Sequence, residues 1–555
     1  MSARNAIVLL LALSTLLFLA GCGSSSNKST PPPTGGFTAS NFNGTYVFSF
    51  SGTDVTSSST ASSASFFAVV GTLSANGSGA LTATMDINDP ELAAAVNSTT
   101  TNVFTGVTGS GNYKVTSDGR GTGTVTVSVN GTSVPLGIDF VLSSNSGGLI
   151  TRFDQFGTGS GSFDLQASGI TQSNLVGSYS FGVNGIDSTG NPLGTVGSIT
   201  LDASGNATGT EDLNDNGSSS NLTALALASP SALTVGSPSG VLNLTASAGL
   251  LSSFTFDAWV IDASHIKLIE TDSTAVLAGD AFVSTGQTSF PSGALAFTMS
   301  GGNSTIGPFV TGGLLTSDGT SAISSGTEDV NAGGSIANSP SVTGSFTSAS
   351  GRTELTLSGI YNIVGGTVAN NTYSFAAYPY NGGIELLEID SAGAGDGTLG
   401  GAAYPQTSTS LAASQGYGLN LSGANSNGEV DMIAEFSTDS SGGLSGLYDA
   451  NNEGALVPDE SLGSGATYAN NSNGRGTISF PNLQTNSNSV LGQIILTFYA
   501  VNSSTLVFIE TDANGQVASG ILEQQSSAGS SSAASPHIAV ARPMFHPHVA
   551  RQKKN

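Results

Sequence analysis

The sequence predicts an all-β fold of four tandem antiparallel meander domains. Each is read as an eight-stranded up-and-down barrel, with a β-sandwich as the alternative. Three observations lead there. Apolar residues alternate with polar ones at the period of a strand, not of a helix. One pattern recurs four times, with starts at Gly44, Gly177, Gly293 and Gln415 that lie 133, 116 and 122 residues apart. Glycine, asparagine, aspartate and serine punctuate each copy at hairpin spacing. Solenoid and propeller repeats run to about 20–50 residues, so units of this length are whole domains in series.

Each copy opens on a period-two strand that closes on glycine. The first has Tyr46, Phe48, Phe50 and Gly52, and the second has Tyr179, Phe181, Val183 and Gly185. The third has Leu295, Phe297, Met299 and Gly301, and the fourth has Tyr417, Leu419, Leu421 and Gly423. An Asp-x-Asn element follows in every copy: Asp86/Asn88, Asp212/Asn214, Asp329/Asn331 and Asp449/Asn451. Then comes a glycine turn, carrying Arg120, Arg352 and Arg475 in copies one, three and four; copy two has Ser239-Gly240 without the arginine. A late apolar strand ends in paired acids, Glu270/Asp272, Glu388/Asp390 and Glu510/Asp512, where copy one has Arg152 and Asp154.

The fourth copy shows the strand count best. Strands are read near 416–422, 429–438, 443–449, 464–469, 475–480, 491–501, 505–511 and 516–524. Short hairpins in sequence make a meander, which removes its exposed edges by closing into a barrel. A sandwich would need a long crossover, and the loops near 451–463 and 481–490 are where one would fit. The Gly-x-Tyr opening and the turn at Gly79–Thr82 are similar to avidin-like and lipocalin-like barrels. No ligand-binding signature of either family is present, and no residue is carried over.

The first residues give an address. A short start with Arg4 precedes an apolar run of about fifteen residues, too brief for a comfortable membrane span, and then Leu19-Ala20-Gly21-Cys22. This tetrad resembles the lipobox of bacterial lipoproteins. The resemblance implies cleavage before Cys22, the only cysteine of the chain, and its acylation. With Gly23 and no Asp after it, the family's sorting rule implies the outer membrane.

The organisation expected is a signal peptide at 1–21, a Ser/Pro/Gly tether at 22–40, repeats at 41–169, 173–288, 290–408 and 412–526, and a basic tail at 527–555. Composition narrows the function. Only 9% of residues are charged, against about 25% in ordinary domains. All 37 carboxylates lie between Asp54 and Glu523, opposed there by six cations, which leaves the body near −31. Such a body repels phosphate backbones, so nucleic acid is not an expected partner. The partners expected are the membrane, through the lipid, and a cell-surface glycan or envelope protein.

Candidate chemistry is sparse. Asp212, Asn214 and Asn216 match the front of a calcium loop, D-x-N-x-N-G, with Asp449, Asn451 and Glu453 as a second set. Position twelve is Thr223, not the bidentate acid, and turn capping is the competing account. The paired acids share a strand face, as glycoside hydrolysis requires. Their triplication favours solvated strand ends over a catalytic centre. His265 reads as a solvent-facing turn residue and Trp259 as core. Tyr378 and Tyr380 share a face and form a candidate platform for sugar rings. The expected role is therefore a non-catalytic binding, adhesive or scaffold protein without a cofactor, calcium excepted. The alternative is a carbohydrate-active hydrolase built on the strand carboxylates.

Overall fold

Alternating apolar positions bury one face of a strand when the sheet curls over its own apolar side. The chain does this four times. The computed structural model describes residues 36–55, 66–98, 101–215, 222–236, 239–245, 253–287, 289–303, 307–362, 367–390, 398–426, 428–486 and 489–526. All belong to one unit that runs from Pro33 onward. Four antiparallel sheets follow one another along it, spanning 43–165, 177–283, 293–405 and 416–524.

In the first, eight strands pair in chain order and the last returns to the first, setting Phe48 opposite Phe163. The third closes as well, through the pairing of Gly307–Ser317 with Ala322–Ala332. The second and fourth are nine-stranded sheets whose ends meet at single bridges, Asn206 to Ala232 and Gly443 to Thr467. Two backbone hydrogen bonds flank each bridge, such as Leu233 N to Gly205 O and Tyr468 N to Gly442 O.

The ninth strand has a simple origin. Val103–Val115 is one unbroken strand in the first barrel. Its counterparts are split in two, as Leu222–Ala226 and Ala232–Val235, Ser335–Ser339 and Thr343–Ala349, and Ala455–Ser461 and Thr467–Asn470. The supposed loop near 451–463 therefore holds half of a strand. The one near 481–490 extends the hairpin Arg475–Asn486 to Ser489–Ala500. Neither is a crossover, and the barrel reading holds over the sandwich. The first barrel also carries a short helix, Pro90–Ala95, started by Pro90 and capped by Asp89, whose Oδ1 accepts from Leu92 N at 2.7 Å.

Each interior is filled with apolar side chains. In the first barrel Phe42, Phe140 and Phe163 pack with centroids 5.0–5.9 Å apart. Separate clusters fill the other three. The returning strand must approach closely, and one glycine recurs there. At Gly161, Gly279, Gly401 and Gly520 an added Cβ would lie 1.7, 1.9, 2.2 and 2.0 Å from a carbonyl oxygen of the first strand. Gly279→Ala is expected to destabilise the protein by about 1–3 kcal/mol through overpacking, read by urea unfolding. A shift below about 0.5 kcal/mol would show that the ladder has slack.

The barrels are not beads on a string. The first packs against the second and the fourth, and the third packs against the same two. The second also touches the first, where Lys267 Nζ donates to Ser162 Oγ at 3.0 Å. Within this unit the cyclic order one-two-three-four closes on itself.

Candidate functional site at the seams between barrels

A strand that ends at a turn leaves carbonyls without ladder partners, and each must be satisfied if the turn is buried. The Asp-x-Asn element supplies donors to the next barrel at all four seams. At the first, Asn88 Nδ2 donates to Glu270 O, Glu270 Oε2 and Ala275 O at 3.1, 2.7 and 2.9 Å. At the second, Asn214 Nδ2 donates to Glu388 O and Oε2 at 3.0 and 2.7 Å. At the third, Asn331 Nδ2 reaches Glu510 O and Gln516 O at 3.1 and 2.8 Å. At the fourth, Asn451 Nδ2 reaches the carbonyls of Arg152, Asp154 and Gly157 at 3.1, 3.1 and 2.7 Å.

The aspartate two residues earlier accepts from the same neighbour. Asp212 takes Arg352 Nε and Nη2 at 2.8 and 2.7 Å and the Tyr378 hydroxyl at 2.5 Å. Asp329 repeats this with Arg475, at 2.8 Å for both bonds, and with Tyr499 at 2.8 Å. Asp449 accepts from Arg120 Nη1 at 2.9 Å. The second barrel has no turn arginine, and there Trp259 Nε1 donates to Asp86 Oδ2 at 2.6 Å instead. Apolar side chains fill the rest of each seam, for example Val47, Phe66 and Val70 against Trp259, Ile269 and Val276.

This geometry relocates most of the residues singled out in the sequence. Asp212, Asn214, Asp449 and Asn451 face a neighbouring barrel, so their oxygens do not converge on a loop cavity. Among the described residues no group of three or more His, Cys, Asp or Glu is placed to hold a metal. Glu453 sits in a tight turn with φ +49°, its Oε1 accepting from Glu429 N at 3.3 Å. Asn216 and Cys22 lie outside the described residues, as do the tether through 35 and the tail from 527.

The tyrosine platform is overturned by burial. Tyr378 is 0% and Tyr380 2% exposed, the first bonded to Asp212 and the second stacked on Phe282 at 4.7 Å. His265 is also buried, with Nε2 2.8 Å from Asp280 Oδ1 and its ring stacked on Phe282 at 4.3 Å. Trp259 is buried as expected, but between barrels and outside any one barrel's interior.

The paired acids are not solvated strand ends. Glu270, Glu388 and Glu510 are 0%, 5% and 0% exposed, while their partners Asp272, Asp390 and Asp512 are half-buried. Burial, with Asp272 nearby, pushes Glu270 up to about 9. Asp272, although half-buried, is held below the usual carboxylate range by hydrogen bonds from Glu270, Thr274 and Thr255. Two carboxyls with diverging proton affinities have the makings of an acid–base pair. Here, however, Glu270 Oε2 accepts from Asn88 and its Oε1 from Asp272 N at 2.8 Å, under the face of another barrel.

No family model matches the chain, and no curated protein matches it. One solved structure that aligns with the chain is a variant of the vaccine antigen transferrin binding protein B from Haemophilus parasuis, at 11% identity and a TM-score of 0.19, covering 70% of this chain and 83% of that one. Another is the copper transporter OprC, at 9% identity and a TM-score of 0.10, covering 89% and 81%. At these scores neither bears on function.

The sequence missed what the Asp-x-Asn element does. The signal was present, because the element recurs in all four copies, and the turn arginine and the acid pair, each in three of them, follow it in one order. Reading them as one interaction needed the rule that each copy's element meets the next copy's turn.

Proposed function

We propose that this is an exported, lipid-anchored protein of the bacterial cell envelope with a non-catalytic binding or scaffold role. One observation carries the choice over a hydrolase. The glutamate of each pair that hydrolysis would use is enclosed between barrels, with Glu270 accepting from Asn88, Glu388 from Asn214 and Glu510 from Asn514. An enzyme needs its acid at a surface that substrate can reach.

Part of what remains outward is uncharged and rich in hydroxyls. On the first barrel a shallow groove of about 340 Å³ is lined by Thr108, Ser110, Thr126, Ser128 and Ser133. Such a surface suits a neutral polyhydroxyl ligand better than an ionic one. The lipobox supplies the anchor, and acyl chains hold at roughly 0.8 kcal/mol per buried methylene. Gly23 after the cysteine favours an outer-membrane destination.

Cys22→Ala is expected to move at least nine-tenths of the protein from the membrane to the soluble fraction. Mass spectrometry of the wild-type N-terminus should find acylated Cys22, and an unmodified cysteine would end the reading. A glycan array with the full-length protein tests the binding role. Thr126→Glu with Ser128→Glu should abolish the signal. Turnover of any arrayed glycan would restore the hydrolase.

A further inference from the structure

The second barrel buries a lysine. Lys267 is 1% exposed, and lysine is rarely enclosed unless a partner meets it. Across the ladder Lys267 stands opposite Asp280, and Asp280 stands opposite Gly182. The same row of the other barrels sets Leu149 opposite Ser162, Glu385 opposite Ala402 and Val507 opposite Ile521. An amine and a carboxyl therefore face each other there in one copy alone.

Lys267 Nζ donates to Asp280 Oδ1 at 3.1 Å and to Ser162 Oγ at 3.0 Å. His265 Nε2 lies 2.8 Å from the same Asp280 oxygen, so the carboxyl is held from two sides. Asp280 Cγ is one bond beyond that oxygen. A third group completes the row. Glu385 of the third barrel is 6% exposed, and a Cβ added to Gly182 would lie 2.6 Å from its Oε2. The glutamate thus fills the space over Gly182, beside Asp280, that a larger residue would take. Among the described residues its Oε1 has no hydrogen-bond partner. Burial, with Asp280 nearby, pushes Glu385 up to about 8, so it carries a proton at neutral pH.

An ammonium and a carboxylate enclosed together keep a desolvation cost that their attraction only partly offsets. Condensing them removes both charges. Holding two reacting groups in contact is equivalent to a concentration of about 10⁵–10⁸ M. We propose that Lys267 and Asp280 join their side chains in an amide bond, with Glu385 moving the protons. A proton passes from Nζ to the Asp280 carboxylate across their hydrogen bond. The freed Nζ lone pair attacks Cγ, and the N–C bond forms. Glu385 gives its proton to the hydroxyl oxygen, the C–O bond breaks, and one water leaves. The nitrogen then returns a proton to Glu385. No cofactor or oxidant is consumed, and each chain closes the bond once.

Trypsin reads the bond, because it does not cut after an acylated lysine. The full-length protein is denatured, digested and weighed by mass spectrometry. Cuts at Arg152, Lys267 and Arg352 would release 153–267 and 268–352. The bonded chain should instead give 153–352 uncut and lighter by one water. Recovery of the two separate peptides at their sequence masses overturns the proposal. Lys267→Arg keeps the charge without the nucleophile and should restore the cut and the full masses. A water still missing from that variant would place the loss elsewhere and also overturn it. Glu385→Gln, neutral like the protonated acid, should lower the bonded fraction at least tenfold while the circular dichroism stays that of wild type. Glu385→Met, also neutral, serves the same purpose if the glutamine variant does not fold. A bonded fraction equal to wild type in a folded Glu385 variant overturns the part given to that residue.

Discussion

Asp212→Ala is expected to cost about 3–5 kcal/mol, because it strands a partly buried guanidinium and a buried phenol at once. Asp212 is fully buried and takes two bonds from Arg352 and one from Tyr378. Tyr378→Phe, which removes one donor and leaves the ion pair, should cost about 1 kcal/mol. Asp212→Leu combined with Arg352→Met should recover most of the loss, since removing both charges removes the uncompensated one. Asp86→Ala at the first seam should be milder, about 1–3 kcal/mol, because the groups it strands, the N–H of Trp259 and of Gly106, are both neutral. Urea unfolding of the four variants checks the ranking. If Asp86→Ala proved the more damaging, the argument from buried charge would be wrong.

Alkaline pH should unfold the protein more readily than mildly acidic pH. Burial raises Asp431 to about 6, Asp257 to about 7, Glu385 to about 8 and Glu270 to about 9. Burial also raises Glu510 well above the carboxylate range, with Asp512 adding to the effect. A carboxyl whose folded pKa lies above its unfolded value keeps its proton longer in the folded state. Its stabilising contribution is full below the unfolded value, about 4, and is lost as pH rises through the folded one. The melting temperature should therefore fall steadily between about pH 5 and pH 9. Glu510→Gln, which stays neutral, should flatten that decline relative to wild type. A melting temperature that is level or rising over this interval would refute the expectation. Below about pH 4 the trend reverses, because Asp272 is held low by its hydrogen bonds and loses them on protonation.

Much of the barrel architecture was legible in the residues. Alternation gave the strands, and all eight read in the fourth copy are present. Ala455–Ser461 escaped because Pro458, Asp459 and Glu460 look like loop, and Asp459 does take a positive φ of 55° within it. The seams were harder. An aspartate and an asparagine two apart have the same signature whether they cap a turn, ligate a cation or reach across to another barrel. Only tertiary placement separates these. The glutamates misled for a related reason: acids at strand ends are usually wet, and nothing local in Ile269-Glu270-Thr271 shows that Asn88, 182 positions away, will cover them. Tyr378 and Tyr380 were read as a shared face correctly, but that face meets neighbouring barrels.

Gly119 brings the two ends of the folded body together. A Cβ there would strike Gln525 Nε2 at 2.5 Å and the Phe37 ring at 2.8 Å, and Ser526 N already donates to Ser143 O at 2.8 Å. Start and finish of the body are thus neighbours, and the point at which the chain begins is nearly irrelevant to what it builds. A gene rearranged to start after Val283, with a few glycines splicing Ser526 to Gly36, should yield the same molecule. It would place the chain's ends at the junction of barrels two and three without redesigning a single contact.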